Sequence, residues 1–161
     1  MTEELDVVAL RSALGKAKPA LAQSDFVPAL THFCITKNVV TAFNNIIAIC
    51  APIKSESALS INSIVPGKLF LDILNTLPAS GVNYSINGNI LELKNANNNF
   101  AIQMLPLDLF CFTKPVLSNC IRFVFSKAWR DGFEYCLISA LPNAFSPVFR
   151  AIAVIINQDG A

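Results

Sequence analysis

Apolar residues recur at Val7, Leu10, Leu14, Ala17 and Leu21, the spacing of one helix face, so the pattern predicts a helix over Val7–Ala22. Pro19 lies inside that range and predicts a kink or an end, because proline lacks the amide hydrogen a helix needs. A turn at Gln23–Pro28 leads to a predicted strand, Ala29–Thr36, and Lys37–Asn38 make a tight connection. Val39–Ile53 is rich in β-branched residues and reads as two strand pieces meeting at Asn44–Asn45. After the polar loop Lys54–Ser57 comes a short strand, Ala58–Ile61. Pro66 is placed to open a second helix in its first turn. Phe70, Ile73, Leu74 and Leu77 form the stripe of that helix, and Pro78 stops it. Three strands follow, at Val82–Ile86, Ile90–Lys94 and Phe100–Leu105, with Asn87-Gly88 as a hairpin signal and Ala96–Asn99 as a looser turn. Leu105–Phe110 closes the unit, and Leu117–Phe125 reads as a further strand. The fold class is α+β, two helices covering one face of seven or eight mostly antiparallel strands.

The same pattern starts a second time 119 positions later. Without a gap, Ala9, Arg11, Phe26, Pro28 and Asn38 fall on Ala128, Arg130, Phe145, Pro147 and Asn157. Apolar positions follow, Leu10 with Trp129, Leu14 with Phe133 and Ile35 with Val154. Repetition at a fixed period implies one structural unit begun twice. The expected organisation is a complete unit at 1–112, a connection at 113–126 and an incomplete second unit at 127–161.

Composition narrows the function. Of 161 residues, 53% are apolar and 14% charged, with a mean hydropathy of +0.51, so an incomplete second unit calls for a partner. A net charge of +1 excludes a polybasic nucleic-acid binder, so any electrostatic role rests on where twelve basic side chains stand. The acidic start lacks the pattern of a signal peptide, and Asn44–Asn45 and Arg150 interrupt the longest apolar runs. Neither a membrane span nor a membrane partner is expected, and the expected compartment is cytoplasmic. Five cysteines, Cys34, Cys50, Cys111, Cys120 and Cys136, include no CxxC pair and stand among apolar neighbours, which reads as buried free thiols in a reducing compartment. His32, the single histidine, has no ligand at metal-binding spacing and reads as a core or edge residue. No GxSxG, GxGxxG or P-loop pattern occurs among six glycines, and Asp72 and Asp108 are isolated acids. No catalysis, cofactor or metal is expected.

Three segments carry a family resemblance. Val65-Pro66-Gly67-Lys68-Leu69-Phe70-Leu71-Asp72-Ile73, ending at Leu77-Pro78, resembles the "VP-(basic)-x-F-x-D-I-x-x-x-L-P" segment in the first domain of bacterial DNA sliding clamps, the DNA polymerase III β subunits. Val27-Pro28-Ala29-Leu30 resembles the "L-P-x-L" upstream of it, and Phe100–Pro106 followed by Asp108-Leu109-Phe110 resembles the segment that closes that domain. All three stand in the family's order and together cover nearly all of residues 5–112. A period of 119 also suits a chain built from repeats of one clamp unit.

The resemblance implies a processivity factor. Such a ring encircles duplex DNA without sequence preference, tethers the replicative polymerase, is opened by a clamp loader and closes as a homo-oligomer. Helices line the hole and sheets form the outer wall. The DNA-facing candidates it implies are Arg11, Lys16 and Lys18 on the first helix, Lys68 on the second, and Lys127 and Arg130 on the third. Its subunit-interface candidates are Leu69, Leu77, Phe100 and Ile102. The family's main peptide pocket lies beyond the first domain, and no residue here is assigned to it. Two departures thin the lining: Gln23-Ser24-Asp25-Phe26 carries an acid where an arginine is common, and Asn75 and Thr76 replace a late basic residue. They fit a divergent member, such as a phage or mobile-element copy, and weak DNA affinity. They also fit an alternative, a clamp-fold interaction or self-assembly module that has lost DNA binding.

Overall fold

The computed structural model describes residues 3–24, 26–55, 59–114, 126–140 and 151–152. The chain divides into two units, Met1–Lys114 and Pro115–Ala161.

In the first unit, strand β1 (Glu3–Glu4) precedes helix α1 (Val7–Ala17), which Asp6 caps by accepting from the Ala9 amide at 2.9 Å. The helix stops five residues short of its predicted end. Lys18–Ala20 tighten into a 3-10 turn around Pro19, which has no amide hydrogen to continue the ladder. A second 3-10 turn, Pro28–Thr31, occupies the start of the predicted strand 29–36, so strand β2 begins only at His32 (His32–Thr36). Lys37 and Asn38 both take positive φ, +47° and +60°, the tight hairpin geometry that matches strand twist. Strand β3 (Val39–Phe43) and strand β4 (Ala48–Pro52) are the two predicted pieces, turned by Asn44, whose side-chain oxygen accepts from the amides of Ile46 and Ile47.

The strand predicted at Ala58–Ile61 is absent where it is described, at Leu59–Ile61. The Leu59 amide donates to the Asn38 side chain at 2.7 Å and the Ser60 amide to the Tyr84 hydroxyl at 2.9 Å. Side chains rather than a ladder satisfy these amides, and pairing resumes two residues later in strand β5 (Ser63–Pro66). Pro66 ends that strand and caps helix α2 (Gly67–Thr76), so it stands just before the first turn and not in it. Gly67 is required by proximity: a Cβ there would lie 2.6 Å from both the Leu21 side chain and the Thr31 carbonyl oxygen. Strand β6 (Asn83–Asn87), strand β7 (Ile90–Lys94) and strand β8 (Asn99–Gln103) complete the unit. The β6–β7 loop is Gly88-Asn89, one residue later than predicted, with Gly88 at φ +57°.

These strands pair antiparallel in two four-stranded sheets, ordered β1-β6-β7-β8 and β4-β3-β2-β5. Ile64 and Leu105 exchange backbone hydrogen bonds of 2.9 and 2.8 Å, which joins the sheets edge to edge. Helix α1 packs on β3 and β4, α2 on β2 and β5, and the helices pack on each other. The core between them holds Leu10, Leu14, Phe33, Ile35, Phe70 and Leu74, together with Leu91, Leu93 and Ile102 from the other sheet. Burial of several such side chains, each stabilising by about 1.5–3 kcal/mol, is what fixes both helices to this wall.

The second unit contains helix α3 (Lys127–Ser139), begun by Ser126, whose hydroxyl accepts from the Trp129 amide. Its cap falls 120 positions after Asp6, close to the 119-residue period. The rest of the predicted repeat, the turn near Phe145–Pro147 and the strand running to Asn157, lies outside the described residues but for Ala151 and Ile152. So does the strand predicted at Leu117–Phe125.

Candidate nucleic-acid interface

The amphipathic spacing that buries Val7, Leu10, Leu14 and Ala17 turns Val8, Ser12, Gly15 and Lys16 outward on α1. On α2 the inward set is Phe70, Leu71 and Leu74, leaving Lys68, Leu69, Asp72, Asn75 and Thr76 exposed. The outer surface of the two helices and the turn after α1 therefore carries three exposed cations, Lys16, Lys18 and Lys68. One exposed acid, Asp72, dilutes them, and Val8 and Leu69 are 56% and 52% exposed.

Arg11 differs from these lysines. Its Nη2 donates to the carbonyls of Leu74 and Leu77, at 2.5 and 3.1 Å, in the last turn of α2 and just past it. The Leu74 carbonyl also accepts a long 3.3 Å bond from the Leu77 amide at the helix cap, and the helix dipole favours a cation at that end. The buried Nε finds no acceptor among the described residues. Arg11 is thus a brace between the two helices. Its repeat counterpart Arg130, and Lys127, are exposed on α3, where Trp129 and Phe133 pack ring against ring at 6.1 Å.

The four interface candidates separate as clearly. Leu69 is open, and Phe100 is partly buried on β8, the end strand of its sheet. Leu77 and Ile102 are 4% and 1% exposed and belong to the unit's own core, so neither offers surface to a neighbour.

His32 sits part-buried at the start of β2, its Nδ1 2.6 Å from the Pro28 carbonyl. Burial holds its pKa below the ordinary value, against the opposing pull of that hydrogen bond. Of the cysteines only Cys34 is buried among the described residues. Cys50, Cys111 and Cys136 are exposed, contrary to the sequence reading, and Cys120 lies outside the described residues. An apolar strand has two faces, and Cys50 is on the one turned away from the helices. Among the described residues no group of three or more His, Cys, Asp or Glu could hold a metal, and no helix is long and apolar enough to cross a membrane.

Neither the Arg11 brace nor a hydrogen-bonded cluster of Glu3, Ser60 and Tyr84 that fastens β1 has a local signal in the sequence.

Solved bacterial clamps share this arrangement. The DNA polymerase III β subunit of Thermotoga maritima superposes with a TM-score of 0.61 at 21% identity, over 73% of this chain and 34% of that one. That of Pseudomonas aeruginosa gives 0.62 at 17% identity, over 72% and 33%. The Helicobacter pylori β clamp bound to a DNA ligase peptide gives 0.58 at 22%, over 73% and 34%. At these identities the likeness establishes the fold, and the chain spans about a third of the length of each. No curated protein matches the sequence. The family model described as "DNA polymerase III beta subunit, N-terminal domain" matches residues 6–112, so the chain belongs to the family of DNA polymerase III β subunits, the bacterial sliding clamps.

Proposed function

We propose that this chain is the N-terminal part of a DNA polymerase processivity clamp. In the full assembly, copies close head to tail around duplex DNA and tether the replicative polymerase after a clamp loader has opened the ring. Residues 1–112 are its first domain, 113–126 a connection, and 127–161 the start of a second. The role is topological and non-catalytic, and it needs no cofactor. The DNA-facing set is Lys16, Lys18 and Lys68 in the first unit and, on α3 of the second, Lys127 and Arg130. Arg11 acts indirectly, by holding α1 and α2 together. Leu69, Phe100 and the β8 edge are the contact to a neighbouring subunit. By analogy with the Helicobacter clamp and its DNA ligase peptide, other DNA-processing proteins are expected partners of the complete protein.

The observation that carries this reading is the pairing of two helices on one side of an eight-stranded wall, with lysines on their exposed surface. Phosphate contacts of this kind position a protein without reading bases. The test is fluorescence anisotropy of labelled duplexes of two unrelated sequences across a salt series. Weak binding, equal for both duplexes, is expected. Lys16→Glu, Lys18→Glu and Lys68→Glu together should abolish it, since each phosphate contact contributes about 0.9 to the slope of log K against log salt.

A second reading has its own support. With Asp72 among three lysines, and Val8 and Leu69 exposed beside them, the helix surface also suits a clamp-fold module that binds protein and not DNA. Absence of duplex binding even at low salt favours that module, whereas binding that survives the triple reversal puts the DNA contact on other residues.

A further inference from the structure

The sheet β4-β3-β2-β5 has a second face, turned away from the helices, which the clamp reading does not use. Cys34, Thr41 and Cys50 stand directly opposite one another across β2, β3 and β4, and the Thr41 hydroxyl donates to the Cys50 sulfur at 3.6 Å. The segment after β8 lies along this face. Phe112 packs against Phe43 with ring centroids 5.1 Å apart, and Leu107 and Phe110 line the same wall. Between arm and sheet is an open groove of about 430 Å³.

Its chemistry is one-sided. The floor and wall are thiols, threonines, a valine, a leucine and two phenylalanines. Its charged lining groups are Lys37, held out at the β2–β3 turn, and Lys114 at the end of the arm, and no carboxylate lines it among the described residues. Burial pushes the Cys34 thiol up to about 11, so it stays neutral and supplies no counter-charge. Two ammonium groups beside an apolar slot attract an anion with an apolar body. A small ligand draws its affinity from being largely enclosed, which a groove open along one side does not provide. An extended chain that lays alternate side chains into the slot is suited to it.

We propose that this groove is a docking site for an extended peptide of a partner protein, with apolar side chains at its middle and carboxylates near its ends. The site is separate from the helix surface and does not depend on DNA binding.

Cys50 is a built-in reporter, being exposed and in the groove. The measurement is its alkylation rate by iodoacetamide, mapped by mass spectrometry in the whole chain, with Cys136 on α3 as the internal control. The probe is acetyl-Glu-Val-Phe-Val-Glu-amide, compared with its twin in which both Glu are Gln. Protection of Cys50 but not Cys136 is expected, about tenfold at ten times the Kd. The Gln twin should protect several-fold less, and Lys37→Asn with Lys114→Gln should remove the difference between the two peptides. Asparagine tolerates the positive φ at position 37, and both lysines are exposed, so an unchanged Tm should show the variant folded. No protection at millimolar peptide, equal protection by the twin, or protection that survives the double substitution overturns the proposal. Equal protection by 4-phenylbutyrate also overturns it and makes the groove a site for small amphiphilic acids. Protection that grows with protein concentration without any peptide overturns it in favour of a second copy of this chain.

Discussion

A single arginine shows how little a residue's type says about its task. Arg11 has the spacing of a solvent-facing helix residue, yet its guanidinium closes the end of a helix more than sixty residues away. Both bonds come from one nitrogen, Nη2, so a lysine in its place would keep the charge and restore part of the contact. Arg11→Met should lower stability by about 1–3 kcal/mol, the range for losing hydrogen bonds to a charged group, with Arg11→Lys in between. Urea midpoints with unchanged m-values are the check. Neither substitution should change the salt slope of duplex binding, whereas a residue touching phosphate would lower it. The 119-residue period located this position through Arg130 but could not assign its role. That role depends on where α2 ends relative to α1, which is a long-range fact. Gly67 is a similar case: the motif places it, but only packing explains it, because Leu21 and Thr31 leave no room for a Cβ.

At the scale of elements, legibility follows whether the signal is local. The helices, β3, β4 and the three-stranded run β6 to β8 were readable because periodicity and turn chemistry lie within a few residues of one another. The errors fall where a side chain or a proline replaced a backbone bond. Pro19 shortened α1, the Pro28 turn displaced the start of β2, and Asn38 and Tyr84 captured the amides of a predicted strand. The two-residue β1 carries too little pattern to be seen. The proposed interface splits for the same reason, since alternation along β8 and α2 tells inward from outward but not core from contact. Ile102→Ala should cost about 2–5 kcal/mol as a buried cavity and lower the thermal midpoint. Leu69→Asp, on open surface, should leave that midpoint unchanged and shift the assembled protein toward lower mass in sedimentation. If Leu69→Asp left the mass unchanged, β8 and its edge would have to carry the contact alone.

The wall of the first unit closes only through contacts between distant parts of the chain, which is why its division into two sheets was not legible although the fold class was. Ile64 and Leu105 join the two sheets at one place, and the far edge is held by β1. There the Glu3 carboxylate accepts from the hydroxyls of Ser60, at 2.5 Å, and Tyr84, whose oxygen also accepts from the Ser60 amide. The three residues come from the first strand, the segment before β5, and β6. Hydrogen bonds from Ser60 and then Tyr84 hold the Glu3 pKa below its ordinary 4.5. Burial, and then the neighbouring Glu3, raise that of Tyr84 above its ordinary 10.0. A carboxylate whose pKa falls on folding stabilises the fold in full above its unfolded value, and that contribution is lost as pH falls through the folded one. For the phenol, raised on folding, the contribution is present below the unfolded value and lost as pH rises through the folded one. The clasp is therefore strongest between these limits. Glu3→Gln should lower the thermal midpoint near neutral pH, and the gap to wild type should close as pH drops below about 4.5. Tyr84→Phe should also lower the midpoint at neutral pH, since it removes one of the two donors to Glu3 together with the acceptor of the Ser60 amide. A gap that persisted unchanged into acid would mean that β1 is held by the carboxyl's packing and not by its charge.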